Sequence, residues 1–317
     1  MSLDPGLPEP ASASDSGPGL GISAVERDVG LSKDILRVWE RRYAFPRPGR
    51  DAHGERLYPP DQVEKLRLIK RLMDSGLRPG KLVNSSLAEL LSLIQDPGLA
   101  SAAAAPAAGP DQRDFLALLK SHSVDDLRRA LTQAVVRHGL GYFVITTVGP
   151  LNRLVGDAWM RGDIEVFEEH LYSESMQIVL RGAIASLARQ GQTPRVLLTT
   201  FPNEAHGLGL LMAEALLALE GAHCISLGVQ TPIRDIGLAA VAQRAQVVAL
   251  SFSAAYPAAQ VTDGLAQLRA RLPDDVEIWA GGSAASLARR PPPGVHVLQG
   301  LEAIHLEVEA WRARSGR

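Results

Sequence analysis

A chain of 317 residues with 46% hydrophobic and 5% aromatic content and a formal net charge of -2 is long enough for two or three domains, and suits packed helices and a parallel sheet. One cysteine, Cys224, excludes an intramolecular disulfide and a thiolate zinc cage and reads as a buried strand thiol. No stretch approaches the ~18 uninterrupted apolar residues of a membrane span, and residues 1–20 are rich in Pro, Ser, Gly and Asp, so a disordered tail on a cytoplasmic protein with no membrane partner is expected.

Residues 21–84 carry 14 Lys and Arg against 9 Asp and Glu, a local balance of +5 that leaves -7 for the remainder. A basic head on an acidic body favours nucleic acid as a partner, because phosphate neutralisation supplies most non-specific affinity. The head opens with a short helix, Ser23 to Val29, then a Gly30 turn, then a helix capped by Ser32 and running through Arg41. Pro46 and Pro48 interrupt the pattern, Gly54 lies in a polar stretch from Arg50 to Arg56, and Pro60 and Asp61 start a third helix with Leu66, Ile69, Leu72 and Met73 on its apolar face. A fourth amphipathic helix, Ala88 to Ile94, completes a domain over residues 21–95.

The run Leu-Arg-x-Trp-Glu-Arg-Arg-Tyr at Leu36 to Tyr43, followed by Pro46 to Arg50, Gly54 to Tyr58 and Asp61 to Leu66, resembles the winged helix-turn-helix head of MerR-type regulators. The resemblance implies double-stranded operator DNA as the partner. The helix carrying Lys33, Arg37, Arg41 and Arg42 would enter the major groove, and a wing carrying Arg47, Arg50, Arg56 and Tyr58 would grip the backbone. Arg37 and Arg41 lie one turn apart on one face, while Trp39 reads as a core residue.

Pro97 to Pro110, rich in Ala, Gly and Pro and without charge, reads as a mobile tether, placing a linker over residues 96–112. Helical spacing from Asp114 to Arg189 predicts a four-helix bundle over residues 113–192, with Ser123-x-x-Asp126 close to a capping box and Pro150 kinking a long helix. Trp159 is followed after nine residues by Glu169-His170. Asp163, beyond a Gly162 break, is a candidate cap for the helix bearing Val166, Glu169 and His170, so these side chains and Trp159 can line one pocket.

From residue 193, five apolar strand candidates (Arg195 to Phe201, His223 to Val229, Val247 to Phe252, Glu277 to Ala280, His296 to Leu298) alternate with helices near Leu208 to Glu220, Ile233 to Ala242, Ala258 to Leu272 and Leu301 to Ala313. This alternation predicts a doubly wound, flavodoxin-like parallel sheet. Glu204-Ala205-His206-Gly207-Leu208-Gly209 follows the first strand; Ser251-Phe252-Ser253 comes after 41 more residues and Gly281-Gly282 after a further 27. Open sheets of this kind bind ligands in such loops. A Walker lysine is absent and Gly207-x-Gly209 lacks the third glycine of a dinucleotide fingerprint, so a nicotinamide cofactor is disfavoured.

These separations resemble the cobalamin-binding domains of methionine synthase and mutases, which carry Asp-x-His-x-x-Gly, Ser-x-Leu and Gly-Gly. His206 is then the cobalt axial ligand, and Glu204 fixes its tautomer and raises its basicity. Gly207 and Gly209 would allow close approach of the nucleotide tail, Ser251 or Ser253 would offer it a hydroxyl, and Gly281 and Gly282 would open the crevice floor.

With the head, the bundle and Trp159-x9-Glu169-His170 in this order, the chain resembles the light-sensing CarH and LitR regulators. That resemblance implies that Trp159, Glu169 and His170 cover the upper face of adenosylcobalamin, with Val166 lining the same pocket. It also implies a dark homo-tetramer that represses from operator DNA and dissociates in light. Photosensing members place a histidine directly after the tryptophan; here the position is Met160, a weak ligand for Co(III). Three alternatives follow: His170 substitutes, cobalt takes water, or the signal is the presence or form of cobalamin. A corrinoid carrier or methyltransferase component is the competing class, but no barrel-length remainder and no nucleophile with a base is visible, so a non-enzyme is expected.

Overall fold

The computed structural model describes residues 19–51, 53–74, 77–95, 110–187, 193–254, 256–284, 287 and 292–316. Most of the expected tail and tether lies outside the described residues. The chain forms two compact units, residues 1–93 and 94–317.

In the first unit, α1 (Ile22–Val29) and α2 (Lys33–Tyr43) are joined at Gly30, whose φ of 73° is the left-handed conformation that favours glycine. Ser32 Oγ accepts the Ile35 amide at 3.3 Å, capping α2. Strands β1 (Leu20–Gly21), β2 (Gly49–Arg50) and β3 (Arg56–Tyr58) form an antiparallel sheet in the order β1-β3-β2. Helix α3 (Pro60–Asp74) turns Leu66, Ile69 and Leu72 into a core shared with Val25, Leu36, Trp39 and Tyr58. A four-residue helix, α4 (Pro79–Leu82), precedes α5 (Leu87–Gln95). One turn is too short to show a periodicity in sequence.

The second unit begins with α6 (Pro110–Lys120) and α7 (Val124–His138). A continuous helical run then comprises α8 (Leu140–Tyr142), a π-helical segment (Phe143–Val148) and α9 (Gly149–Arg161), and is followed by α10 (Val166–Ala185). At Pro150, where a kink is expected, the wider π register absorbs the missing N–H. Gly149 N donates to Val144 O, and the Thr146 carbonyl, which Pro150 cannot serve, accepts Gln112 Nε2 at 3.2 Å. Two expected caps are corrected. Ser123 makes no side-chain cap and its hydroxyl accepts from Ser121 Oγ. Asp163 pairs with Arg161 at 2.8 Å, while Glu165 and Glu168 form a reciprocal capping box at the start of α10.

Five parallel strands follow, β4 (Arg195–Thr199), β5 (His223–Gly228), β6 (Val247–Phe252), β7 (Glu277–Gly282) and β8 (Val295–Val297), in the order β5-β4-β6-β7-β8. Numbered along the sheet's own chain this is 2-1-3-4-5, the flavodoxin-like winding, with its switch point between β4 and β6. Val196, Leu198, Val247, Ala249 and Trp279 face α11 (Leu208–Leu219) and α14 (Ala303–Arg314). Leu197, Val248, Leu250 and Ile278 face α12 (Ile233–Ala242) and α13 (Ala258–Arg269). Helix α11 is apolar on both sides because it lies between the sheet and the bundle, and one continuous core runs from Phe115 through Met212 to Trp311. Cys224 is half-buried on edge strand β5, where burial and then the Glu214 charge push its thiol up to about 12, so it is no nucleophile. Among the described residues, no helix is long and apolar enough to cross a membrane.

Candidate functional site

The loop between β4 and α11 is pinned before it reaches its functional residues. Thr200 Oγ1 donates to Glu204 O at 2.6 Å and accepts Gln230 N at 2.8 Å, and Tyr256 Oη donates to Pro202 O at 3.0 Å. Glu204 is consequently 1% exposed, and both carboxylate oxygens are occupied. Oε1 accepts His206 Nδ1 at 2.6 Å and His206 N at 3.1 Å; Oε2 accepts Ser253 N and Ser253 Oγ, each at 2.8 Å. Burial pushes the Glu204 carboxyl up, and the hydrogen bonds from His206 and Ser253 together more than offset it, holding the pKa below the ordinary carboxylate value.

An ionised carboxylate only accepts, so Nδ1 of His206 is the donor and Nε2 is the nitrogen turned away from Glu204. The imidazole is 58% exposed, at the C-terminal edge of the sheet. Ser253 belongs to the loop after β6, so Glu204 closes the switch point from both sides. An exposed imidazole with an orienting carboxylate already in place on its Nδ1 is a donor set that fits cobalt.

The other motif residues divide. Ser253 Oγ, a candidate hydroxyl for the nucleotide tail, spends its proton on Glu204 and so also supports that carboxylate. Ser251 lies against Gly209, where a Cβ would stand 3.1 Å from its Oγ, and a Cβ at Gly207 would meet Val229 Cγ1 at 3.1 Å. Both glycines are thus closely packed, Gly207 at the end of the loop and Gly209 in the first turn of α11. Gly282, with φ of 109°, has no room for a Cβ against the Phe252 backbone, whereas a Cβ at Gly281 would make only ordinary contacts with Leu298 at 3.7 Å.

In the bundle, Trp159 occupies the last turn of α9, half-buried against the core, and Gly162 (φ 77°) ends that helix. Val166 opens α10 and is 41% exposed. Glu169 Oε2 meets His170 Nδ1 at 3.0 Å and its Oε1 accepts Ser173 Oγ at 2.6 Å; the His170 ring is 72% exposed. Beneath them, Tyr172 Oη donates to Asn152 Oδ1, and Asn152 Nδ2 lies 3.5 Å from Met212 Sδ, which ties α9, α10 and α11 together. Sequence reading missed this polar thread, because its members are 20 and 60 residues apart. At the far edge of the sheet, Glu277, His296 and Glu307 bring their ligand atoms within 4.8 Å. Arg314 already bridges the two carboxylates at 3.0 and 2.8 Å, so the cluster is an ion-pair network.

On the head, Arg37, Arg41, Arg42, Arg47 and Arg50 are exposed, and Lys33 pairs with Glu26 at 3.5 Å. Two wing residues behave differently from expectation. Arg56 Nε is bidentate on Glu40 at 2.9 and 3.0 Å, and Tyr58 is fully buried with its Oη donating to Glu40 Oε1 at 3.0 Å. Tyr58 is therefore a core residue, not a backbone clamp, and burial together with Glu40 raises its phenol pKa so that it stays a donor. Arg56 and Tyr58 alternate along β3 and so point to one side, where Glu40 of α2 locks the wing to the helix.

A family model described as MerR HTH family regulatory protein matches residues 20–83, and one described as B12 binding domain matches residues 194–303. The HTH-type transcriptional repressor CarH of Myxococcus xanthus is 31% identical over 284 residues, covering 86% of this chain and 93% of that protein. The repressor CarA of the same organism is 30% identical over 234 residues, covering 74% and 76%. The monomethylamine corrinoid protein of Methanosarcina barkeri shares the fold at a TM-score of 0.50 and 16% identity, covering 62% of this chain and 96% of that one. With a MerR head, a helical bundle and a B12-binding sheet in one chain, this protein belongs to the CarH/CarA family of transcriptional repressors.

Proposed function

We propose that this repressor senses adenosylcobalamin and responds to light, its DNA affinity set by cofactor-dependent assembly into a tetramer, and that it is not an enzyme. The observation that carries the reading is the buried Glu204 carboxylate holding His206 Nδ1 at 2.6 Å with Ser253 on its other oxygen. His206 Nε2 would hold the cobalt, and Trp159, Val166, Glu169 and His170 would shelter the corrinoid from solvent. When bound, adenosylcobalamin supplies a cobalt–carbon bond that visible light breaks. The Tyr172–Asn152–Met212 thread then links the cover helices to α11, so a change at the cover is felt in bundle packing. Assembly matters because several weak heads on one operator bind far more tightly than one.

Size-exclusion chromatography with adenosylcobalamin should give a tetramer in the dark and smaller species after illumination; an elution volume indifferent to both rejects the assembly switch. A second reading, cobalamin sensing without light, is favoured by Met160, whose half-buried thioether is a weak ligand for Co(III). It predicts assembly with methylcobalamin as well and a lit spectrum lacking a second nitrogen ligand. Glu204→Gln should weaken corrinoid binding by about 10- to 100-fold, since an amide presents a donor where Ser253 or His206 needs an acceptor; an unchanged Kd by spectral titration would remove Glu204 from the site.

A further inference from the structure

The water-facing side of α2 carries more than arginines. On a 3.6-residue repeat, Leu36, Trp39 and Tyr43 occupy the inward arc, and the residues opposite them are Asp34, Val38 and Arg41, flanked by Arg37 and Arg42. Val38 is 42% exposed and stands in the middle of that arc. It lines a shallow depression of about 370 Å³ with Asp34, Arg37, Glu40, Arg41 and Arg56. An aliphatic side chain there gains nothing from water. Arg41 beside it, with Arg37 and Arg56 offset by Asp34 and Glu40, leaves a mixed polar rim suited to a partner that offers both donors and acceptors, as base edges do.

Asp34 narrows the geometry. Its side chain is 89% exposed and 3.3 Å from Arg37 Nη1. Asp34 engages the Arg37 guanidinium, and its remaining lone pairs suit base-edge donors such as an exocyclic amine better than backbone phosphate, which favours bases over backbone as the surface this strip meets. Among major-groove base edges, the one apolar feature is the thymine C5-methyl group.

We propose that Val38 reads a thymine methyl group in the operator, making it a specificity-determining residue among the arginines. The inference rests on the head binding duplex DNA as its family does. The test uses the full-length, adenosylcobalamin-loaded protein in the dark and a duplex it selects from a random library. Thymines are replaced one at a time by deoxyuridine, which deletes the methyl group alone. Wild-type affinity should fall about three- to fivefold at one or two positions, the scale of one buried methyl group. Val38→Ala should bind the parent duplex more weakly, show no further loss at those positions, and keep the wild-type dependence of Kd on salt, since no phosphate contact is removed. Wild-type protein that binds well but ignores every substitution, or Val38→Ala protein that keeps the full loss, overturns the inference while leaving DNA binding intact. Wild-type protein with no salt-dependent affinity for any duplex overturns the DNA-binding reading and this inference with it.

Discussion

His206→Ala protein reconstituted with cobalamin is expected to lose the spectrum of a nitrogen-ligated cobalt and to bind corrinoid at least about 100-fold more weakly, beyond the loss typical of an outer-sphere partner. The effect should be local. The ring is 58% exposed, so its removal opens no core cavity, and Glu204 keeps the Ser253 amide and hydroxyl at 2.8 Å as well as the backbone amide of residue 206. The cost in stability is then that of one lost partner of a buried carboxylate, about 1–3 kcal/mol. Free imidazole should restore the nitrogen-ligated spectrum in the variant, because the vacated space opens toward solvent. Ultraviolet-visible titration checks both points; an unaltered spectrum in His206→Ala protein would move the axial ligand to another residue.

Gly282→Ala should damage the second unit itself. Gly282 pairs in register with Phe252 across β6 and β7, its φ is 109°, and a Cβ built there would lie 2.2 Å from Phe252 O and 2.9 Å from Phe252 N. Both neighbours are backbone at the C-terminal end of the β6–β7 ladder, and Ser283 N also donates to Phe252 O at 2.8 Å, so neither can yield without opening that end of the ladder. A loss above about 4 kcal/mol is expected, in the range reserved for a clash that packing cannot relax. Gly281→Ala is the matched control: its Cβ would meet Leu298 only at 3.7 Å, so stability should change by less than about 1 kcal/mol. If Gly281 serves close approach of the corrinoid, that control will melt normally yet bind cobalamin poorly. Thermal unfolding followed by circular dichroism separates the two, and coincident melting curves for Gly282→Ala and wild type would contradict the backbone described.

Much of this was legible along the chain because it rests on local regularities. Alternating strand and helix periods place β6 over Val247–Phe252 and α12 over Ile233–Ala242 at the same residues as the sequence reading. Ser32 announces the start of α2, and Glu204 and His206 stand two residues apart, so their hydrogen bond is nearly inscribed in the motif. The spacing from His206 to Ser253 and Gly282 likewise follows from strand lengths and crossover helices, which vary little in a doubly wound sheet.

What only the tertiary structure decided is where polar side chains go once distant elements meet. Ser253 turns to Glu204 across 49 residues, Glu40 captures Arg56 and Tyr58 across 16 and 18, and Glu165 takes the capping role that Asp163 was placed to fill. Each is a competition among several donors and acceptors of similar strength, settled by which partner packing has already brought within about 3 Å. Periodicity carries the direction of a side chain from its own element but not the identity of the group facing it. The chain itself determined the elements, their order and the Glu204–His206 pair; packing determined which hydroxyl supports it.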